Sequence, residues 1–282
     1  MIRATHEREL RHAVAKWRAD GERIGFVPTM GALHAGHLSL VELAARHASR
    51  VVASVFVNPT QFGPGEDFER YPRDPEGDAR LLAEAGCDLL FLPAVETVYP
   101  PGASTRVRVE GPSRGFEADF RPGHFEGVAT VVTALLGLVR PDLAVFGEKD
   151  AQQLAVVRAL ARDLHLGVEI LSGPTVREQD GLAMSSRNAY LTPDERRAAP
   201  VIHRALAAAR VAIESGERSA ERVVADLRAE IAAEPGVELE YAAVVGAEDF
   251  QPRAEIAGEI VVPVAARLGA TRLLDNFRLR VN

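Results

Sequence analysis

Pro28-Thr29-Met30-Gly31-Ala32-Leu33-His34-Ala35-Gly36-His37 follows an apolar run and leads into a helical pattern carrying Leu38, Val41 and Ala45. Backbone N–H groups at a helix start attract anions, and glycines let a ligand approach the main chain closely. Two imidazoles three residues apart on a helix can reach the same ligand. The stretch therefore reads as a phosphate site placed where a strand hands over to a helix.

Working outward, residues 24–27, 51–57, 89–92 and 143–146 are apolar runs without period-two alternation. That is the pattern of parallel strands covered on both faces. Between them, Asp74-Pro75 opens a helix that carries Ala79, Leu82 and Ala83 on one side and stops at Gly86. A further helix is expected over 150–164, with His165, Leu166 and Gly167 turning into a strand that runs through Leu171. The order is that of an α/β protein with a doubly wound, Rossmann-like parallel sheet. Ligands of such sheets sit beyond the carboxyl ends of the strands, where the Pro28, Asn58 and Gly147 segments fall.

After Leu171 the texture changes, with Ser172-Gly173-Pro174 forming a turn and a polar segment continuing to Asn188. We place the domain boundary here, giving 1–175 and 176–282. Thr192, Pro193 and Glu195 form a helix start, with Thr at the cap, Pro at the first position and Glu at the third. Two helical patterns run to about Pro235, and strand-like runs follow at 239–245, 259–264 and 271–274. Helices followed by strands suggest a smaller C-terminal α+β domain that serves as a lid.

The 282 residues carry 33 basic and 40 acidic side chains, a formal net charge of -7, with 47% hydrophobic residues. This balance argues against a broad nucleic-acid surface, which needs clustered Lys and Arg. No apolar run approaches the roughly 20 residues of a membrane span. The single Cys87 excludes an internal disulfide, and His6, Glu7, Arg8 and Glu9 interrupt any apolar leader, so a cytoplasmic protein without nucleic-acid or membrane partners is expected. A small anionic substrate needs only a local positive pocket.

Gly31 and Gly36 have P-loop spacing, yet His37 and Leu38 stand where a Walker motif requires Lys and Ser or Thr. His34 and His37 have two bland readings, a zinc pair and a helix cap. Structural zinc wants four ligands, and this chain offers almost no Cys and no carboxylate at a characteristic third spacing, so no metal site is assigned. Asn58 and Gln61 flank a proline turn at a strand end, where amides either bracket a substrate with hydroxyl and carboxylate groups or simply initiate the turn. Gly147-Glu148-Lys149-Asp150 marks another strand end, with Lys149 a point charge for phosphate, Asp150 an acceptor for a ribose hydroxyl, and Gln153 one turn on. Met184-Ser185-Ser186-Arg187 offers two hydroxyls and a guanidinium in the interdomain loop, where a plain turn is the alternative. Arg114, Arg121 and His124, in the Gly-rich run 111–127, are candidates for a mobile lid.

In this order the motifs resemble the pantothenate synthetase family of ATP-dependent ligases, within the nucleotidylyltransferase superfamily. The match is carried by residues 28–34, Phe-Val-Asn-Pro-Thr-Gln-Phe at 56–62 and Arg-Pro-Gly-His-Phe at 121–125. It continues through Phe-Gly-Glu-Lys-Asp at 146–150, Gln152-Gln153-Leu154, residues 180–188 and Leu-Leu-Asp-Asn at 273–276. The resemblance implies that His34-Ala35-Gly36-His37 is the family's His-x-Gly-His signature and that residues 184–187 correspond to the mobile Lys-Met-Ser-Lys-Ser loop. It places the adenylate against Met30, Gly31, Ala32, Leu33, His34, Ala35, Gly36, His37, Gly147, Glu148, Lys149, Asp150 and Val176, and the triphosphate against both motifs, including Met184, Ser185, Ser186 and Arg187. Pantoate falls against Gln61 and Gln153, with Asn58 beside them, and His37 is the family's assigned proton donor. Two departures are visible, Thr60 where many members have Met and Ala266-Arg267 in place of a more usual Ala-Trp.

The implied reaction joins pantoate to β-alanine through a pantoyl adenylate, releasing diphosphate and AMP. Catalysis would come from His34, His37, Lys149, Ser185, Ser186 and Arg187, all acting on developing phosphate charge. The substrates are pantoate, β-alanine and ATP, with Mg2+ arriving on the nucleotide and retaining several waters. The family also implies a homodimer. Closure of the 180–188 loop and the C-terminal domain over ATP, eased by Gly181, would keep water from the acyl adenylate. The rival readings are another enzyme of the superfamily with a different acceptor, and a non-catalytic nucleotide sensor or RNA-binding relative.

Overall fold

Six strands pair in parallel in the order β1-β4-β3-β2-β5-β6: β1 (Ile2–Ala4), β2 (Ile24–Thr29), β3 (Arg50–Val55), β4 (Leu89–Phe91), β5 (Leu143–Gly147) and β6 (Glu169–Gly173). The computed structural model describes residues 1–282 and divides into two units, Met1–Gly147 with Val156–Gly173, and Glu148–Ala155 with Pro174–Asn282. In the first unit the chain starts at the edge strand β1, crosses to β2, steps outward through β3 to β4 beside β1, and then returns past β2 to β5 and β6. Strand order therefore reverses between β2 and β5, the point at which the carboxyl ends of a doubly wound sheet open a crevice. The expected parallel sheet is the one observed, and the apolar runs read from the sequence lie on β2 to β5, with β3 ending at Val55.

Helices α1 (Glu7–Ala19), α2 (Ala35–His47) and α3 (Pro75–Glu84) alternate with the first strands. Val41 and Ala44 of α2 and Ala79 and Leu82 of α3 pack on one face of the sheet against Val27, Ala53, Leu90 and Val145. Full burial of Val41 and Leu82 contributes roughly 1.5–3 kcal/mol each, which fixes both helices on the strands they follow. Helix α3 starts as expected, with the Asp74 carboxylate capping Gly77 and Pro75 at the first position. Two one-turn helices, α4 (Val95–Val98) and α5 (Glu117–Phe120), precede α6 (His124–Val139).

Of the three residues offered for a mobile lid, His124 instead opens helix α6. Its residues Phe125, Val128, Ala129, Val132, Leu135, Leu136 and Val139 are buried, so it is apolar nearly all round and belongs to the interior. Without an amphipathic stripe it carries little helical periodicity to read. Helix α7 (Ala151–Asp163) follows β5 through a single 3-10 turn, Glu148–Asp150.

The second unit places α8 (Pro193–Ala198), α9 (Val201–Glu214) and α10 (Ala220–Ala232) before an antiparallel sheet of β7 (Val237–Ala242), β8 (Val245–Gly246), β9 (Gly258–Leu268) and β10 (Thr271–Val281). The Thr192 and Glu195 side chains form the expected reciprocal cap of α8. Strand β10 outruns the expected 271–274 because its apolar alternation continues at Phe277 and Val281, which join Ile202, Leu206, Leu227 and Val262 in one core. No helix in either unit is long and apolar enough to cross a membrane.

Candidate active site

The chain leaves β2 at Thr29 and turns sharply before α2. Gly31 has φ +85° and Ala32 φ +51°, both left-handed, and Gly31 has no room for a side chain because a Cβ there would lie 2.8 Å from Asp78 Oδ2. Asp78, on the first turns of α3, is 3% exposed and accepts the Ala32 N–H at 3.1 Å and the Leu33 N–H at 2.8 Å. Burial pushes the Asp78 carboxyl up and the two amides hold it back. Two donors on a carboxylate are what a buried acid needs if it is to stay in place.

His34 is the N-cap of α2. Its Nδ1 accepts the Gly36 N–H at 3.2 Å, and the Nδ1 of His37 accepts the His34 N–H at 3.4 Å. Each ring thus carries its proton on Nε2, the donor nitrogen, and the ring centroids lie 4.1 Å apart. The capping reading and the ligand reading are compatible, because capping uses one nitrogen of each ring. Most of the turn amides expected to face an anion are engaged within the protein. Gly31 N–H goes to Thr29 Oγ1, Ala32 and Leu33 to Asp78, His34 and Gly36 to the imidazoles, and His37 to the His34 carbonyl.

Beyond β3, Asn58 caps the 3-10 turn Pro59–Gln61. Its Nδ2 donates to Gln61 Oε1 at 3.0 Å and to the Gly127 carbonyl at 3.2 Å, and its Oδ1 accepts from Thr60 N, Thr60 Oγ1 and Tyr99 OH. With every position of the carboxamide used, Asn58 serves the turn and Gln61 rather than a ligand directly. Gln61 keeps one loosely held donor, Nε2, which points at Met30 Sδ 3.0 Å away. A thioether is a weak acceptor, so a carboxylate or hydroxyl would displace it at little cost. Thr60, the departure from the family pattern, is absorbed by its hydrogen bond to Asn58, with the Tyr99 hydroxyl 3.1 Å away.

Arg121 and His124 brace this wall. His124 is buried, its Nδ1–H donates to the Gln61 carbonyl at 2.9 Å, and its Nε2 accepts from Arg121 Nη1 at 3.2 Å. Burial, reinforced by the Arg121 charge, pushes His124 down to about 4, so the ring is neutral. The Arg121 guanidinium also meets Glu66 at 2.7 Å. Burial alone would raise the Glu66 carboxyl, but the Arg121 bonds hold it below its usual range. Arg114 instead makes an exposed pair with Glu110.

In the second unit Lys149 is half-buried within the turn Glu148–Asp150, Asp150 is exposed, and Gln153 is half-buried on the first turn of α7. Val176 and Met184 are tied by Met184 N–H to the Val176 carbonyl at 2.9 Å. Ser185 caps the 3-10 helix Ser186–Tyr190 by accepting the Arg187 N–H at 3.2 Å. Gly181, with φ +91°, faces the His203 ring so closely that a Cβ would come within 2.0 Å of it. Glycine is therefore required there by approach as well as by conformation.

The family model of pantoate-β-alanine ligases matches residues 3–278. The chain belongs to this family. The ligase is 55% identical over 280 residues to pantothenate synthetase of Rubrobacter xylanophilus, covering 96% of both chains. It is 52% identical over 274 residues to pantothenate synthetase of Pseudomonas fluorescens, again covering 96% of both. The crystal structure of pantothenate synthetase from Thermus thermophilus matches at a TM-score of 0.93 and 51% identity, over 98% of the ligase and 99% of that chain. Pantoate-β-alanine ligase from Francisella tularensis, crystallised with Beta-gamma ATP and β-alanine, matches at a TM-score of 0.77 and 33% identity, over 98% and 97%.

Sequence reasoning missed Asp78 and the bracing role of Arg121 and His124 in the ligase. A signal for Asp78 was present, since an acid one residue before Ala79 on the apolar side of a helix is out of place unless it is paired. None was present for His124, whose partner is a main-chain carbonyl 63 residues away.

Proposed function

We propose that the chain condenses pantoate with β-alanine at the expense of ATP through a pantoyl adenylate, and that the His34 and His37 pair carries the first half-reaction. The observation that supports this most directly is the shared Nδ1 anchoring of two rings 4.1 Å apart, which leaves both with Nε2 as the donor nitrogen at the carboxyl end of β2. Two such donors suit the non-bridging oxygens of one phosphate chain.

A carboxylate does not acylate an amine in neutral water, because oxide is too poor a leaving group and the amine is protonated. In the proposed sequence a pantoate carboxylate oxygen attacks the α-phosphorus of MgATP, and the bond from that phosphorus to the departing diphosphate breaks. The β-alanine amine, as its free base, then attacks the acyl carbon. The acyl–oxygen bond breaks, AMP leaves, and the amine proton is lost. Positioning and neutralised charge supply most of the acceleration in such transfers. We assign His34, His37, Lys149, Ser185, Ser186 and Arg187 to phosphate oxygens, with His37 giving a proton to the departing group. The adenosine part is assigned to Met30, Gly147, Asp150 and Val176, and pantoate to Gln61 Nε2 and Gln153, Asn58 acting through Gln61. Magnesium enters as part of the nucleotide substrate. A cytoplasmic homodimer is the form proposed, and a mass measurement in solution tests it.

Exchange of labelled diphosphate into ATP, followed by addition of β-alanine, tests both half-reactions. The expected result is exchange that depends on pantoate and stays silent with other carboxylic acids, then stoichiometric AMP release once the amine is present. Exchange with an unrelated acid, or none at all, would overturn the reading.

A further inference from the structure

The stretch Leu273-Leu274-Asp275-Asn276 marks this chain as a family member, yet no step above uses it. It lies in the middle of β10, and both polar side chains are almost fully buried, Asp275 at 4% and Asn276 at 6% exposed. Neighbouring side chains of a strand point to opposite faces, so the pair reaches two different segments. A buried polar pair in a strand interior is costly unless each group is satisfied, which makes the identity of its partners informative.

Asp275 receives a two-point fork from Arg177, Nη1 to Oδ2 at 2.6 Å and Nη2 to Oδ1 at 2.9 Å. Arg177 Nη1 also donates to the Gly181 carbonyl at 3.0 Å, and Arg177 pairs as a β-bridge with Ala183. The Arg177 fork therefore holds both arms of the loop that delivers Met184, Ser185, Ser186 and Arg187. On the other side, Asn276 Nδ2 donates to the Glu148 carbonyl at 3.0 Å and to the Lys149 carbonyl at 2.8 Å. These two carbonyls belong to the peptide planes on either side of the Lys149 Cα. Tying both planes to one carboxamide sets φ and ψ of Lys149, and with them the direction in which its side chain leaves the turn.

We infer that Asp275 and Asn276 are positioning residues for phosphate binding, one strand dipeptide that holds the Lys149 turn with one side chain and the 184–187 segment with the other. The inference rests on the assignment of Lys149 and residues 185–187 to ATP. Bidentate geometry on one side and paired donors on the other allow neither segment to shift by much without breaking two hydrogen bonds.

The test is pantoate-dependent diphosphate exchange in Asn276→Leu, Lys149→Ala and the double variant, with Asn276→Ser as the alternative if Asn276→Leu does not fold. Asn276→Leu is expected to lower kcat/KM for ATP by about a hundredfold, the cost of a misplacement near 1 Å, while KM for pantoate stays within about twofold. In the Lys149→Ala background the same change should cost nothing further, because the group it aims is already gone. A folded Asn276 variant with parental exchange, or losses that multiply in the double variant, would overturn the inference. Full exchange in Lys149→Ala alone would overturn it by removing the assignment beneath it, an outcome distinct from failure at Asn276. Asp275→Asn against Arg187→Ala repeats the cycle on the other face, with the same expectation and the same refutation.

Discussion

Asp78 accepts the Leu33 backbone N–H at 2.8 Å across 45 residues of sequence, and the Ala32 N–H beside it at 3.1 Å. A carboxylate on α3 thus holds the left-handed turn that aims α2 and its two histidines. The same contact takes away two amides that a glycine-rich turn would otherwise offer to an anion. In the proposed function phosphate is accordingly assigned to side chains, with imidazoles where a P-loop uses main chain and lysine.

Replacing Asp78 by Leu should leave the Ala32 and Leu33 amides buried without acceptors. Each unmatched buried donor costs about 1–3 kcal/mol, so urea unfolding should show a loss of several kcal/mol. Asp78→Asn keeps one acceptor and should lose less. Stability in Asp78→Leu equal to the parent would mean that the turn holds itself.

His37→Ala and Lys149→Ala should each slow pantoate-dependent exchange by about a hundredfold to a thousandfold, the usual cost of one transition-state donor, near 3 to 4 kcal/mol. His34→Ala should show the same loss plus about 1 kcal/mol of stability from the missing cap. A loss of tenfold or less in a histidine variant would reduce that residue to a capping role.

Gly127→Ala sets helix propensity against space. Alanine is favoured over glycine in a helix by about 1 kcal/mol. Its Cβ, however, would lie 2.4 Å from the Thr60 carbonyl oxygen and 2.7 Å from the Gln61 Cα, both main-chain atoms that yield only if the turn moves. Sterics should win, with about 1–3 kcal/mol lost by calorimetry and a raised KM for pantoate through Gln61. An unchanged KM would separate Gln61 from the acid.

His124 predicts an acid-labile fold. Its folded value is about 4 against an ordinary 6.5, so the unfolded chain binds the extra proton first and stability falls as pH drops through that window. About 2 kcal/mol should be gone by about pH 5. Glu66, held low by Arg121, acts in the same direction but at lower pH: its stabilisation is present above the ordinary carboxylate range and is lost as pH falls through that range. Urea midpoints taken between pH 7 and 5 carry the His124 slope together with a contribution of the same sign from His203, which burial also lowers, and His124→Asn should remove the His124 share. An unchanged slope would sink the assignment.

The departures from sequence reading have particular causes. Caps were legible because they are local: Asp74 with Pro75, Thr192 with Glu195, and Asn58 before Pro59 each satisfy amides two or three residues away. Arg121 and His124 were placed in a lid because glycines at 111, 115 and 123 suggest mobility, while the reason for their order, a buried carbonyl at Gln61 and a carboxylate at Glu66, lies elsewhere in the chain.

The residue order alone settled the parallel sheet, the strand ends that bear His34, Asn58 and Lys149, and the chemistry those groups can perform, because hydrophobic period and turn composition act over a few residues. Tertiary structure decided that the turn amides go to Asp78, that Asn58 also holds the Gly127 carbonyl, and that Asn276 grips the Lys149 turn. Those choices depend on partners brought together by packing, across as many as 127 residues between Asn276 and Lys149, and a buried polar group takes whichever partner the fold supplies.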